Sequence, residues 1–287
     1  MTRTSDLLLT ALAPAIWGSS YIVATELLPN VHPITVALLR ALPAGLILLL
    51  VIRKLPKGVW LLRMMVLGAL NFSIFWSLLF FAAYRLPGGV AAIVGALQPF
   101  IVVFAARALL GSRIQVFSVL AAVTGIAGVC ILILSPEARL DAWGLVAGLG
   151  GAASMALGTV LSRKWQPPVS ALAFTAWQLT AGGILLIPVA AFMGGDIPAL
   201  TPQNLIGLAY LGLIGAAVTY VIWLRGIAKL QPSAVSFLGL LSPVTAVILG
   251  WVILDQTLTG LQVFGACVVL GSVWMGQRAA RPVANSA

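Results

Sequence analysis

The chain has 287 residues, 61% of them apolar and 8% charged, with a formal net charge of +10. A soluble domain carries roughly 25% charged residues, so a water-facing globule is excluded. The Lys and Arg residues stand singly or in small groups between apolar runs, which excludes a nucleic-acid patch. The two cysteines, Cys130 and Cys267, lie in separate apolar runs with no metal or disulfide spacing.

Ten apolar runs are each long enough to cross a bilayer at 1.5 Å rise per residue. They cover 7–27, 33–52, 64–84, 88–108, 114–134, 143–162, 170–192, 204–224, 232–253 and 259–277. Their length, and the lack of a ten-residue dyad pattern, point to helices rather than a barrel. The fold class expected is an all-α membrane protein of ten transmembrane helices. Met1–Asp6 is too short for the leading segment of a signal peptide, so the first run is read as a retained helix.

Span 1 places Trp17 and Tyr21 one turn apart on a shared face. Span 2 carries Arg40, the only clearly intramembrane charge, roughly 10 Å from the span's start. A charge at that depth costs a few kcal/mol. Arg40 either anchors an anionic substrate group, snorkels outward, or pairs with Glu26 or a freed backbone carbonyl. Span 3 offers Asn71 and an aromatic stripe, Phe72, Trp76, Phe80 and Tyr84. Gln98 stands beside Pro99 in span 4. Span 7 adds Trp177 and Gln178, and span 8 adds Tyr220 and Trp223. Aromatic faces with a few amides or hydroxyls suit a small amphipathic ligand. The candidate substrate-binding set is Trp17, Tyr21, Arg40, Asn71, Trp76, Gln98, Trp177, Gln178 and Tyr220. For each, helix packing or lipid contact is the competing reading. Pro14, Pro43, Pro99, Pro188 and Pro243 interrupt spans. Pro99 and Pro243 are the hinge candidates because they recur at matching positions.

That recurrence belongs to a repeat. Leu86–Pro99 reads LPGGVAAIVGALQP and Leu230–Pro243 reads LQPSAVSFLGLLSP, 144 residues apart. Five spans per half is an odd number, so the second half enters the bilayer from the opposite face. The expected units are residues 1–140 and 141–287, two inverted five-helix repeats. With a cytoplasmic N-terminus, thirteen of the sixteen Lys and Arg residues fall on the inner side. The expected setting is therefore a bacterial inner membrane, multi-pass, with both termini cytoplasmic.

The chain resembles the drug/metabolite transporter superfamily, in its EamA-type ten-helix branch. The resemblance rests on Trp17-Gly18-Ser19-Ser20, Leu39-Arg40, Leu97-Gln98-Pro99 and Leu241-Ser242-Pro243. That branch often has Glu after spans 4 and 9, where Ser112 and Asp255 stand here. The resemblance implies export of amino acids or similar small metabolites by alternating access, and is also consistent with export of drugs or pigments. All six acidic residues lie at span ends or loops, and the single histidine, His32, is in a loop. Facilitated transport or exchange is thus expected over a carboxylate-driven proton antiport. No catalytic constellation is evident, so an intramembrane enzyme is disfavoured, as is a channel or passive scaffold. The expected partners are a small-molecule substrate and the lipid bilayer, with no cofactor, no metal and no nucleic acid, in a monomer or weak dimer.

Overall fold

The computed structural model describes residues 2–29, 31–86, 94–133, 141–193, 199–255, 257 and 259–280. Those residues form helices and short connections, with no strand among them. Helix α1 (Arg3–Ile22) starts at Thr2, whose hydroxyl accepts from Ser5 N, and runs into a π turn, Val23–Leu27. Helix α2 (Pro33–Ile52) is capped by His32, whose ring accepts from Ile34 N, and ends on a left-handed Arg53 at φ 49°. Helix α3 (Val59–Gly68) continues through a π turn, Ala69–Ser73, into α4 (Ile74–Arg85). Helix α5 (Gln98–Leu110) stops at Gly111, whose φ of 69° suits glycine.

Next come α6 (Val116–Ile133), α7 (Ala142–Lys164) and α8 (Ala171–Met193). A capping box of Thr201 and Asn204 starts α9 (Pro202–Ala209), which continues through a π segment, Tyr210–Val218, into α10 (Thr219–Lys229). A tight turn joins α11 (Pro232–Leu238) to α12 (Leu241–Ile253), and a second capping box, Thr259 with Gln262, opens α13 (Gly260–Ala279).

Eight of the described helical stretches are long and apolar enough to cross a membrane, and α5 is a shorter apolar helix. Two stretches outrun their apolar cores. The third run continues from Val59 to Arg85, and the eighth from Pro202 to Lys229. Their extra turns carry Arg225 and Lys229, which meet Asp6, and Arg63, whose long stem lies along apolar surface. Arg63 does so over the rings of Trp60 and Trp165, 4.8 and 5.5 Å away.

Glycines set the tightest helix crossings. A methyl group on Gly45 of α2 would lie 2.5 Å from Thr180 N, and one on Gly183 of α8 would lie 2.7 Å from Leu42 Cα. Those two contacts run in opposite chain directions, so α2 and α8 cross antiparallel. Helices α6 and α13 do the same, with Gly128 against Val269 and Gly265 against Leu132. In lipid such close approach supplies the dispersion attraction that holds helices together. Other pairings recur: α4 packs on α7 as α10 packs on α1, and α5 on α7 as α12 on α1.

The basic helix ends gather together. Arg3 donates to Gln277 O at 3.0 Å, which brings both described chain ends to one end of the bundle. There Asp6 meets Arg225 at 2.8 Å and Lys229 at 3.8 Å. Arg163 donates to Ala228 O close by.

Candidate functional site

Aromatic rings from α1, α4, α10 and the π turn Ala69–Ser73 pack on one another. Trp17 lies 5.0 Å from both Tyr220 and Trp223, centroid to centroid. Phe72 lies 4.6 Å from Tyr220 and 5.3 Å from Trp76. The tilted and edge-on angles suit the ring quadrupoles, and each such pair adds about 0.5–1.5 kcal/mol beyond simple burial. Tyr220, Trp223, Phe72 and Trp76 are buried, while Trp17 is half-buried.

Arg40 borders this cage from α2, its guanidinium 4.9 Å from the Trp76 ring. Its Nη2 donates to Gly215 O at 2.6 Å. That carbonyl lies within the π segment Tyr210–Val218, where the widened helix shifts the regular hydrogen-bond ladder. Thr219 donates to the same carbonyl at 2.8 Å and accepts from Trp17 Nε1 at 2.9 Å. One continuous chain of hydrogen bonds therefore fixes Trp17 and Arg40 through Thr219 and Gly215. A backbone carbonyl, Gly215 O, is thus one partner of Arg40.

Gln98 enters beside this cage from the first turn of α5. Two tight turns face each other here. In the first, Leu97 N bonds Val94 O at 3.2 Å. In the second, Leu240 N bonds Phe237 O at 3.2 Å and Ser242 N bonds Gly239 O at 3.1 Å. Each turn tightens just before a proline, Pro99 or Pro243. Proline has no N–H for the residue four back, so Ser242 takes the Gly239 carbonyl that Pro243 cannot reach. A methyl group on Gly239 would lie 3.9 Å from Gln98 Oε1 and 4.0 Å from Trp223 Cη2. Both Gln98 Nε2 and Trp223 Nε1 are buried without a hydrogen-bond partner in the described structure. An unmet buried donor costs about 1–3 kcal/mol.

The structure thus brings together Trp17, Arg40, Trp76, Gln98 and Tyr220 from the sequence-derived set. It pairs Asn71 and Gln178 with each other instead: Asn71 Nδ2 donates to Gln178 Oε1 at 2.7 Å and to Ser162 Oγ at 3.2 Å, all three residues buried. Trp177 stands apart at the basic end, where Nε1 donates to Lys54 O at 2.7 Å. The side chain of Tyr21 lies outside those described. Thr219 and Gly239 carry weight that the sequence reading did not assign to them. For Thr219 the only signal was its place beside Tyr220 and one turn before Trp223. For Gly239 it was the repeated Gly-x-Leu-x-Pro.

Comparison with known proteins gives this geometry its family. The EamA-like transporter family model matches residues 4–134 and again 142–275. PecM from Dickeya dadantii is 43% identical over 263 residues, covering 91% of this chain and 88% of that protein. The uncharacterized inner membrane transporter YedA from Escherichia coli K12 is 28% identical, over 90% of this chain and 86% of its own length. A solved crystal structure shares the fold at a TM-score of 0.84 with 19% identity, covering 98% of this chain and 99% of the other. With two family matches that together span most of its length, the chain belongs to the EamA-like family of drug/metabolite transporters and is a multi-pass membrane transporter.

Proposed function

We propose that the protein is a secondary exporter of amino acids or similar small amphipathic metabolites, working by alternating access across a bacterial inner membrane. Its working unit is ten spans in two inverted halves, 1–140 and 141–287, with both termini cytoplasmic, as a monomer or weak dimer. The antiparallel crossings of α2 with α8 and of α6 with α13 support inversion, because in each pair a helix of one half meets its counterpart in the other. The crowding of Arg3, Asp6, Arg163, Arg225, Lys229 and Gln277 at one end supports the assigned orientation.

The observation that carries the reading is the cage shared between halves. Trp17, Arg40, Phe72, Trp76 and Gln98 come from the first half, and Thr219, Tyr220, Trp223 and Gly239 from the second. Relative motion of the halves would open such a site to one side or the other. Pro99 and Pro243 sit where each half has its tight turn, which suits hinges. Among the described residues no acidic side chain lines this cage, in keeping with facilitated transport or exchange. The test is counterflow in proteoliposomes against a panel of amino acids and aromatic metabolites at several pH values. Saturable, competable exchange that responds little to an imposed proton gradient is expected. Strong gradient-driven accumulation would overturn the facilitator reading, and non-saturable leak would favour a channel.

A further inference from the structure

The C-terminal end of α10 is capped from another helix. The chain there reads Ile227-Ala228-Lys229-Leu230-Gln231-Pro232. Leu230 N takes Gly226 O at 2.8 Å, and Leu230 itself turns extended, at φ −108° and ψ 164°. Two residues on, Pro232 has no N–H to offer Ala228 O. The last carbonyls of the helix are therefore left over. Arg163, in the last turn of α7, meets them: its Nη1 donates to Ile227 O at 3.3 Å and also to Ala228 O. A guanidinium suits the negative end of the α10 dipole as well as its carbonyls.

Helices α7 and α10 belong to two different packed groups. Helix α7 is seated on α4: a methyl group on Gly144 would lie 2.7 Å from Leu86 Cγ, and Ser154 donates to Leu70 O at 2.8 Å. Helix α10 is seated on α1, where Gly226 faces Thr10 without room for a methyl group. Helix α12 joins that group at Gly18, where a methyl group would lie 2.6 Å from Ser242 O. An ion pair fastens each group at one end. Asp141, the N-cap of α7, meets Arg85 at the end of α4 at 3.7 Å. Asp6 of α1 meets Lys229 at the end of α10 at 3.8 Å. Arg85 and Lys229 stand 144 residues apart, the offset of the sequence repeat, so one fastening is used twice, at opposite ends of the bundle. The bonds of Arg163 differ in kind, because they run between the two groups.

We propose that Arg163 is the latch of a gate at the basic end, a positioning residue that holds the α4–α7 group against the α1–α10 group there. While Arg163 caps α10, the cage is shut off from that side. When the groups part, the guanidinium and both carbonyls pass to water, and the cage opens toward the basic end. Arg163 is half-buried, so water replaces its partners at modest cost and the latch can release in every cycle. The latch rests on the alternating-access reading for its purpose, but the spacing of the two helix ends is measured without transport.

The experiment uses the full chain with Cys130→Ser and Cys267→Ser, and spin labels on Lys164→Cys and Gln231→Cys, two exposed positions beside the latch. Pulsed double electron–electron resonance in nanodiscs reads the distance distribution, and counterflow in proteoliposomes reads transport. With Arg163 present the shorter distance should dominate. Arg163→Met removes the donors and should raise the ratio of longer to shorter distances about 5- to 30-fold. Arg163→Lys keeps a charge at the helix end without the forked donors and should fall between. If Arg163→Met lowers folded yield, Arg163→Gln makes the same comparison, since its amide is too short to span both carbonyls. Asp141→Asn loosens α7 on α4 at the far end and should leave the distribution unchanged. A distribution that neither Arg163→Met nor Arg163→Gln moves, an Arg163→Lys variant as open as Arg163→Met, or equal opening by Asp141→Asn would overturn the latch. Opening on loss of Arg163 in a protein that exchanges nothing from the panel would sink the export reading and leave the latch standing. Saturable exchange with an unmoved distribution would do the reverse.

Discussion

Replacing Thr219 with Val tests whether the hydrogen-bond chain in the cage is functional. Valine has the same branched shape as threonine but cannot accept from Trp17 Nε1 at 2.9 Å or donate to Gly215 O at 2.8 Å. Trp17 would then keep its ring contacts and lose the bond that sets its tilt. An unmet indole N–H costs up to about 1–3 kcal/mol. Hydrogen bonds between membrane helices measure nearer 0.6 kcal/mol on average, because freed groups find other partners. A loss of about 1–2 kcal/mol in the ligand-binding geometry corresponds to about 5- to 30-fold in counterflow KM.

The assay is counterflow of whichever amino acid or metabolite of the panel exchanges saturably, with Thr219→Val, Trp17→Phe and the double variant, beside their thermal unfolding. Trp17→Phe removes the donor and keeps an aromatic ring. Because both single changes break the same bond, the double variant should lose less than the two effects summed, by about 1 kcal/mol. Thr219→Ser keeps the hydroxyl and should behave nearly as wild type. Strict additivity, or a Thr219→Ser variant as impaired as Thr219→Val, would refute the argument that this bond positions Trp17.

Gln178→Leu removes the acceptor for Asn71 Nδ2 and should lower the melting temperature by an amount equivalent to about 1–3 kcal/mol while leaving KM within twofold; a shifted KM at wild-type stability would return the pair to the substrate path. Gly183→Ala forces a methyl group to 2.7 Å from Leu42 Cα, backbone that cannot step aside, and should cost about 1–3 kcal/mol or more, read as lost folded yield. Asp6→Asn takes the carboxylate from Arg225 and Lys229, and the partial exposure of both cations limits the expected cost to about 1–2 kcal/mol in thermal unfolding. Substituting Ala for both Pro99 and Pro243 should slow exchange more than it reduces folded yield, and unchanged flux would remove both from the mechanism.

The helical runs were legible because lipid imposes a length and an apolarity that few residues can disguise. Pro33–Ile52 was read to the residue, since Pro33 starts that helix and Arg53 stops it. The start of α3 and the end of α10 are not legible, because Arg63 and Lys229 look like loop residues in sequence yet stay helical. In the site, Trp17, Arg40, Trp76 and Tyr220 could be picked out as polar or aromatic groups at depth. Which of the chosen residues meet was not legible. Asn71 and Gln178 carry the same chemistry as Gln98, and only the packing of α7 and α8 on the π turn Ala69–Ser73 turns the first two toward each other. The π segments were equally invisible, since Tyr210–Val218 has the composition of any apolar helix, and with them the carbonyl that holds Arg40.

The two facing tight turns place a candidate binding residue and a candidate hinge on one short stretch of sequence. Gln98 directly precedes Pro99, and Gly239 stands four residues before Pro243. A ligand that touches both turns senses their separation. By the energetics of any two-state carrier, a ligand moves the equilibrium only as far as its affinities for the two states differ. On the proposed function, a substrate held between Gln98 of the first half and the Gly239 turn of the second would supply such a difference. Loss of one charge-assisted bond, at about 1.5–3 kcal/mol, changes relative state populations by roughly 10- to 150-fold. On the proposed mechanism, bound substrate therefore selects a closed geometry, and the empty cage is left free to return.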